Sequence, residues 1–381
     1  MSSTGLAQLL TRRYREYFES RPAVPFAVRP LGEEQLAFGS GEPTFTFTVQ
    51  DRRGERALAS LDQFRVAVAY LKGWLDLDGD MMTALSMRDF FKDFHPIAWL
   101  GRFVPLVGRG IAQDSKNISS HYDRETEFFL TFLDNRHRCY TQGVFATDDE
   151  PLEDAMTRKM DVAIDMLGVQ PGDHVLEVGG GWGAFMEYAA KRGIRVTSLT
   201  LAQESEKYLQ DMIDDQGLQA RVVREHLLKY RSDEKYDAIV NMGTTEHLPN
   251  YKATLKKYAE LLRPGGKVYL DSLAMTGKFH VSTFMGRYIY PGQSSPLLLH
   301  QYLRNVAKSP FRLLEVYDER HDYYLTCKAW AERLDAEKDQ IVARWGEGLY
   351  RQFRLFLWAS ATSFDTGKVQ AYRWCLQLPA R

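Results

Sequence analysis

Val175-Leu176-Glu177-Val178-Gly179-Gly180-Gly181-Trp182-Gly183 is an apolar run that breaks into glycines just before an apolar-rich stretch of helical pattern. A strand ending this way brings bare backbone to its carboxyl end, where Gly179 and Gly181 let the chain turn tightly and approach a ligand that side chains would exclude. The spacing is GxGxG and lacks the third glycine of the dinucleotide pattern GxGxxG. Glu177, two residues ahead of the first glycine, is placed to orient the turn or to meet an amino group on the ligand. That arrangement suits S-adenosylmethionine better than NAD, and Trp182, in the same turn, belongs to the expected cofactor contact.

Working outward, the pattern predicts a helix over 184–192, a strand over Arg195–Thr200, a helix over 204–216 and a strand over Ala220–Arg224. A strand over 236–240, a helix over 251–262 and a strand over 267–271 follow, with Arg263-Pro264-Gly265-Gly266 as a sharp turn between the last two. This alternation predicts an α/β, doubly wound, Rossmann-like sheet, whose ligand lies across the carboxyl ends of the strands. Thr200 and Gln203 are the expected partners of cofactor hydroxyls, and Glu225 that of the adenine amino group, although a solvated acid opening a loop reads equally well at 225. Glu246, His247 and Asp271 stand at strand ends where catalytic groups belong. Against that, Glu246 has the position of a helix cap and His247 that of a buried hydrogen-bond donor.

Composition narrows the class. The 381 residues are 44% apolar and 26% charged, with a formal net charge of -1, so no global field favours nucleic acid. Arg12, Arg13 and Arg15 stand among acids with no long apolar run behind them, and a cytoplasmic protein is expected. Cys139, Cys327 and Cys375 are too few and too far apart for a disulfide framework or a thiolate metal site, so no metal is expected.

The organisation reads as a small N-terminal domain over 1–95, a connecting and lid segment over 96–145, and the cofactor-binding domain over 146–381. The first carries a strand pattern at Thr44-Phe-Thr-Phe-Thr-Val49 and a helix pattern from Leu61 to Leu71, with no chemical constellation. Trp74, Trp99 and the apolar stretch 97–107 are its expected contacts with an acceptor or a membrane surface. Tyr122, in a polar cluster before the glycine turn, is placed to cover the cofactor. A helix-like stretch from Gly348 to Ala361 carries Tyr350, Phe353, Leu357 and Ala361 on one face, as core or as the wall of a long apolar cavity.

From Leu61 to Val369 the chain resembles the cyclopropane fatty acid synthase family, including the mycolic acid methyltransferases. The resemblance rests on Gly73-Trp-Leu with Gly79-Asp80, Ser120-His121-Tyr122-Asp123, Val175 to Gly183, Glu246-His247, Leu262 to Gly266, and His321-Asp-Tyr323 through Trp330, in that order. It implies a class I S-adenosylmethionine-dependent methyltransferase that passes a methyl group to a double bond of an unsaturated acyl chain, with Ser120 and Tyr122 at the cofactor. It also implies a bicarbonate ion that accepts a proton, held by Cys, Glu, His and Tyr. Glu246 and Tyr323 stand at the matching Glu and Tyr, but Gln142 falls where the cysteine is expected and Asp271 where the histidine is expected. The altered pair makes bicarbonate doubtful and Asp271 itself the expected base.

Two further readings stay open. Glu-His-x-x-Asn-Tyr at 246–251 also resembles plant alkaloid N-methyltransferases, which keeps a small-molecule C- or N-methyl acceptor in view. A lipid-binding scaffold with a degenerate site is the non-enzymatic alternative. Expected partners are an acyl lipid or a hydrophobic small molecule, with peripheral membrane contact and a homodimer undecided.

Overall fold

The computed structural model describes residues 3–92, 126–275, 283–289 and 296–380. The chain divides into two units, one of Met1–Pro105, Val281–Ile289 and Leu334–Thr366, the other of Leu106–His280, Tyr290–Arg333 and Gly367–Arg381.

The first unit is built on four short strands, β1 (Phe26–Arg29), β2 (Leu36–Phe38), β3 (Phe45–Val49) and β4 (Leu75–Gly79), in the order β2-β1-β3-β4. In β3 the alternation of Phe45, Phe47 and Val49 with two threonines puts the apolar set on the buried face. Helix Gln63–Leu71 starts where Asp62 accepts the Arg65 N–H, as the sequence pattern expects to within two residues.

The N-terminal module is not contiguous. Helix Glu347–Asp365 belongs to it, because Arg351 donates to the Tyr70 and Leu75 carbonyls and pairs with Asp76, while Arg354 donates to the Leu77 carbonyl and the Tyr70 hydroxyl. The expected boundary at residue 95 therefore leaves out a helix that two arginines clamp to β4 and the preceding helix. Buried Tyr350, Phe353 and Phe356 lie on that helix, and Trp358 donates to Asp335 at 3.0 Å.

The second unit carries a sheet with the path β11-β12-β9-β8-β5-β6-β7. Its parallel part comprises β5 (His174–Val178), β6 (Arg195–Thr200), β7 (Ala220–Arg224), β8 (Tyr236–Met242) and β9 (Leu262–Met275). The two-residue strand β10 (Leu297–Leu298) pairs with β9, and β11 (Arg312–Asp318) and β12 (Gln370–Gln377) close the edge antiparallel. All five residues of β5 are buried, as a strand covered on both faces requires. From β5 the chain steps outward to β6 and β7, then returns to the other side of β5 as β8. That reversal opens a crevice at the carboxyl ends of β5 and β8, the place where doubly wound sheets bind ligands.

Candidate functional site

Backbone builds the first wall of the site. After β5 the chain turns through Gly179 (φ +92°) and Gly181 (φ +50°) into helix Ala184–Ala190. A Cβ on Gly179 would stand 2.0 Å from Thr244 Oγ1, whereas one on Gly181 meets no protein atom within 4 Å. Gly179 is thus held by its neighbour across the crevice and Gly181 by its left-handed backbone. Gly180 is not freely exchangeable either, because a Cβ there would meet Ser198 Oγ at 2.2 Å. Glu177 lies beneath the turn, its Oε2 accepting the Ser198 hydroxyl at 2.6 Å, and burial pushes its carboxyl up to about 7.

Around this turn lies a cavity enclosing about 1060 Å³, counting its part open to solvent. It runs from Glu225, His226 and Leu227 after β7, past Thr200 to Ala202 after β6, along Gly179 to Trp182, to Met242 to Thr244 and His247 after β8. Half-buried Glu225 stands at the end away from β8. The His226 Nδ1 accepts the Leu228 N–H at 3.1 Å, and burial lowers its pKa. A nucleoside with a charged tail fits these walls: backbone at the turn, a hydroxyl at Thr200, and an acid at the far end.

The structure brings together Glu177, Gly179, Gly181, Trp182, Thr200, Glu225 and His247 on this cavity. It does not bring Gln203. The helix begins at Gln203, one residue earlier than expected, and its first residue is exposed and off the cavity wall. Ser120, Tyr122, Trp99 and the stretch 97–107 lie outside the described residues. Arg138, Tyr140 and Thr141, which the sequence pattern assigns only to the connecting and lid segment without a role of their own, supply a further wall. They follow a tight turn in which Asp134 accepts the His137 N–H at 2.5 Å and the Cys139 N–H at 2.8 Å, holding Arg138 at φ +59°. The Asp134-Asn135 pair was the only local sign of that turn.

The remaining expected catalytic residues lie behind the wall, in two settings. Glu246 follows β8 in a single helical turn; its Oε1 accepts the Leu273 N–H at 2.8 Å, and Oε2 is buried with no hydrogen-bond partner among the described residues. Burial pushes this carboxyl up to about 7, with the Asp271 charge adding to the rise. Burial also drives the neighbouring His247 down to about 4, leaving it neutral.

Asp271, expected as a free base, is instead fully buried with Oδ2 at 2.9 Å from Lys159 Nζ, while Oδ1 accepts the Gly243 N–H at 2.9 Å. Both oxygens are thus committed, one to an ammonium and one to a backbone N–H, and Asp271 does not line the cavity, so the expectation of a free base at this position is corrected. Gln142 donates to Glu319, which pairs with Arg373 at 3.1 Å. Buried Tyr323 sits one helical turn on, its N–H donating to the Glu319 carbonyl.

These contacts test the implied bicarbonate. The two buried cations here, Lys159 and Arg373, are already matched by Asp271 and Glu319, so the charges balance without an added anion. An added anion would stand beside the buried carboxyls of Asp271 and Glu319, each already paired with one of the two cations, so the residues present do not favour bicarbonate. Among the described residues there is likewise no cluster suited to a metal ion.

Comparisons with known proteins agree with this geometry. The family model described as mycolic acid cyclopropane synthetase matches residues 110–374. The chain is 27% identical over 327 residues to a sphingolipid C9-methyltransferase of Candida albicans, covering 80% of this chain and 64% of that protein. It is 30% identical over 282 residues to the tuberculostearic acid methyltransferase UfaA1 of Mycobacterium tuberculosis, covering 69% of this chain and 65% of that one. The chain thus spans slightly under two thirds of the length of both relatives. Among solved structures, mycolic acid cyclopropane synthase CmaA1 complexed with SAH and CTAB is similar with a TM-score of 0.64 and 27% identity, over 69% of this chain and 98% of that one.

Proposed function

The chain belongs to the mycolic acid cyclopropane synthetase family, and from that premise we propose that it is an S-adenosylmethionine-dependent methyltransferase acting on a double bond of an unsaturated acyl chain. The observation that carries the reading is the backbone-lined cavity across the ends of β5 and β8, with the buried, half-satisfied carboxyl of Glu246 in the turn that follows β8. The similarity to a sphingolipid C9-methyltransferase and a tuberculostearic acid methyltransferase favours a lipid acceptor over an amine.

When bound, S-adenosylmethionine supplies an electrophilic methyl group on a sulfonium. The residues then divide the remaining work. The Gly179 to Gly181 backbone, Thr200 and Glu225 hold the cofactor across the strand ends, and the mostly apolar neighbours of that turn keep water out. An alkene has no lone pair and would take the methyl with its π electrons as the sulfur–methyl bond breaks to leave a neutral thioether, so the positive charge would pass from sulfur to the acceptor carbon. To Glu246, buried behind the wall with Oε2 lacking a hydrogen-bond partner among the described residues, we assign the support of that charge and the receipt of the proton lost afterwards; a carboxyl raised to about 7 suits both tasks at neutral pH. We place the reaction in the cytoplasm, with peripheral access to a lipid surface.

The test is incubation of the full chain with the cofactor and a mixture of unsaturated phospholipids and amines, read by mass spectrometry. A gain of one CH2 unit in an acyl chain supports the reading. The same gain on an amine, or none on any lipid while the cofactor binds, overturns the acceptor assignment.

A further inference from the structure

We infer that Lys159 and Asp271 are positioning residues that hold the β8 side of the cofactor cavity in shape, acting from behind through Thr141 and Gly243. The inference rests on the cavity being the cofactor site, as proposed above.

Lys159 lies in helix Leu152–Leu167 with its side chain fully buried, and its ammonium faces Asp271 Oδ2 and the Thr141 hydroxyl oxygen. An ammonium only donates, so Thr141 Oγ1 accepts from it and keeps its own hydroxyl hydrogen, for which Cys139 Sγ at 3.4 Å and a ligand in the cavity are the competing partners. Thr141 lines the cavity. On the other side, Asp271 Oδ1 takes the N–H of Gly243, another cavity residue, at φ +63°. The two ends interlock: a Cβ on Gly243 would stand 2.3 Å from Thr141 Cγ2, and the next residue, Thr244, fills the space against Gly179. One ion pair therefore grips both strands of chain that face the glycine turn.

A purely stabilising role accounts for this poorly. A buried ion pair recovers little beyond its desolvation cost, and well-packed apolar residues of similar volume commonly serve as well. Two apolar residues cannot orient a hydroxyl or tie down a left-handed glycine, which is what this pair does. Burial opposes the charge on Lys159, yet Asp271, Cys139 and Glu319 around it keep its pKa raised, so the ammonium persists across the neutral range.

The experiment compares the full wild-type chain with the double variant Lys159→Met/Asp271→Leu and with Thr141→Val, measuring thermal stability and S-adenosylmethionine affinity by titration calorimetry. The double variant is expected to melt no lower than the wild type but to bind about tenfold more weakly, the effect of losing one well-placed hydrogen bond. Thr141→Val is expected to reproduce most of that loss, and the triple variant to add little to it. A folded double variant with wild-type affinity overturns the inference, as does full additivity with Thr141→Val. If the double variant does not fold, Thr141→Val and the conservative Asp271→Asn carry the test: equal binding in both contradicts it. A wild-type chain that binds no cofactor would instead sink the proposed function.

Discussion

The two walls of the cavity are built differently. The glycine-turn wall is contiguous in sequence, running from Glu177 to Trp182, and its centre at Gly179 to Gly181 presents bare backbone. The β8 wall is assembled from Thr141, Gly243, Thr244 and His247, braced by Lys159 and Asp271, residues spread over more than a hundred positions. A backbone wall suits a ligand that is the same in every turnover. A side-chain wall, with three buried carboxyls and two buried cations behind it, is where charge that appears during a reaction can be met. The difference teaches that the glycine wall answers to the cofactor alone, whereas the β8 wall meets the cofactor through Thr141 and Gly243 and keeps its carboxyls behind them, so substitution at Glu246 should separate turnover from cofactor affinity.

The largest effect is expected at Gly179→Val. The new side chain strikes Thr244 and sits at a positive φ, so cofactor affinity should fall by at least about 100-fold in calorimetry, with the fold retained by circular dichroism. Unchanged affinity would remove the glycine wall from the binding site. Next, turnover should carry a pH limb on the β8 side. Glu246 is raised to about 7, so its carboxylate form is lost as pH falls below that value and kcat should drop by about tenfold per pH unit there. A flat kcat profile between pH 5.5 and 7.5 would show that the ionised form is not used.

A smaller effect concerns Glu177 on the glycine wall. Its folded pKa, about 7, lies above the usual carboxyl range, so the native state holds a proton that the unfolded chain releases. Stability from this group is complete below the unfolded value and is lost as pH rises towards 7. The melting temperature of the wild type relative to Glu177→Gln should therefore decline from pH 5 to 7 and level off above; a difference that grows with pH would contradict the assignment. The smallest effect is expected for Gln203→Ala, with cofactor affinity within about twofold of the wild type, because the residue is exposed and off the wall.

What the sequence made legible follows the same division. The glycine turn, the strand over Arg195–Thr200 and the acid after β7 are local patterns, and local patterns determine where a parallel strand ends and what stands there. Lys159 was invisible because it occupies an ordinary position in an amphipathic helix, and nothing within a few residues reveals that its partner is Asp271, more than a hundred positions on. Asp271 is misread on two counts: β9 runs on past it to Met275, and the ammonium that pairs with it comes from a distant helix. Gln203 stands exposed at the helix start and off the cavity wall, which its place after β6 does not reveal. Helix Glu347–Asp365 was recognised as a helix, yet its allegiance was set by Arg351 and Arg354 reaching carbonyls around β4, a long-range choice that periodicity does not encode.

The most direct test of the division between the walls is a single-turnover transfer from cofactor-loaded enzyme to an unsaturated acyl phospholipid, comparing wild type with Glu246→Gln. The account predicts equal cofactor loading and a transfer rate at least about tenfold lower in the variant, a loss of about 1.4 kcal/mol of transition-state stabilisation. Equal transfer rates at equal loading would contradict it and leave Glu246 as a cap on the turn after β8.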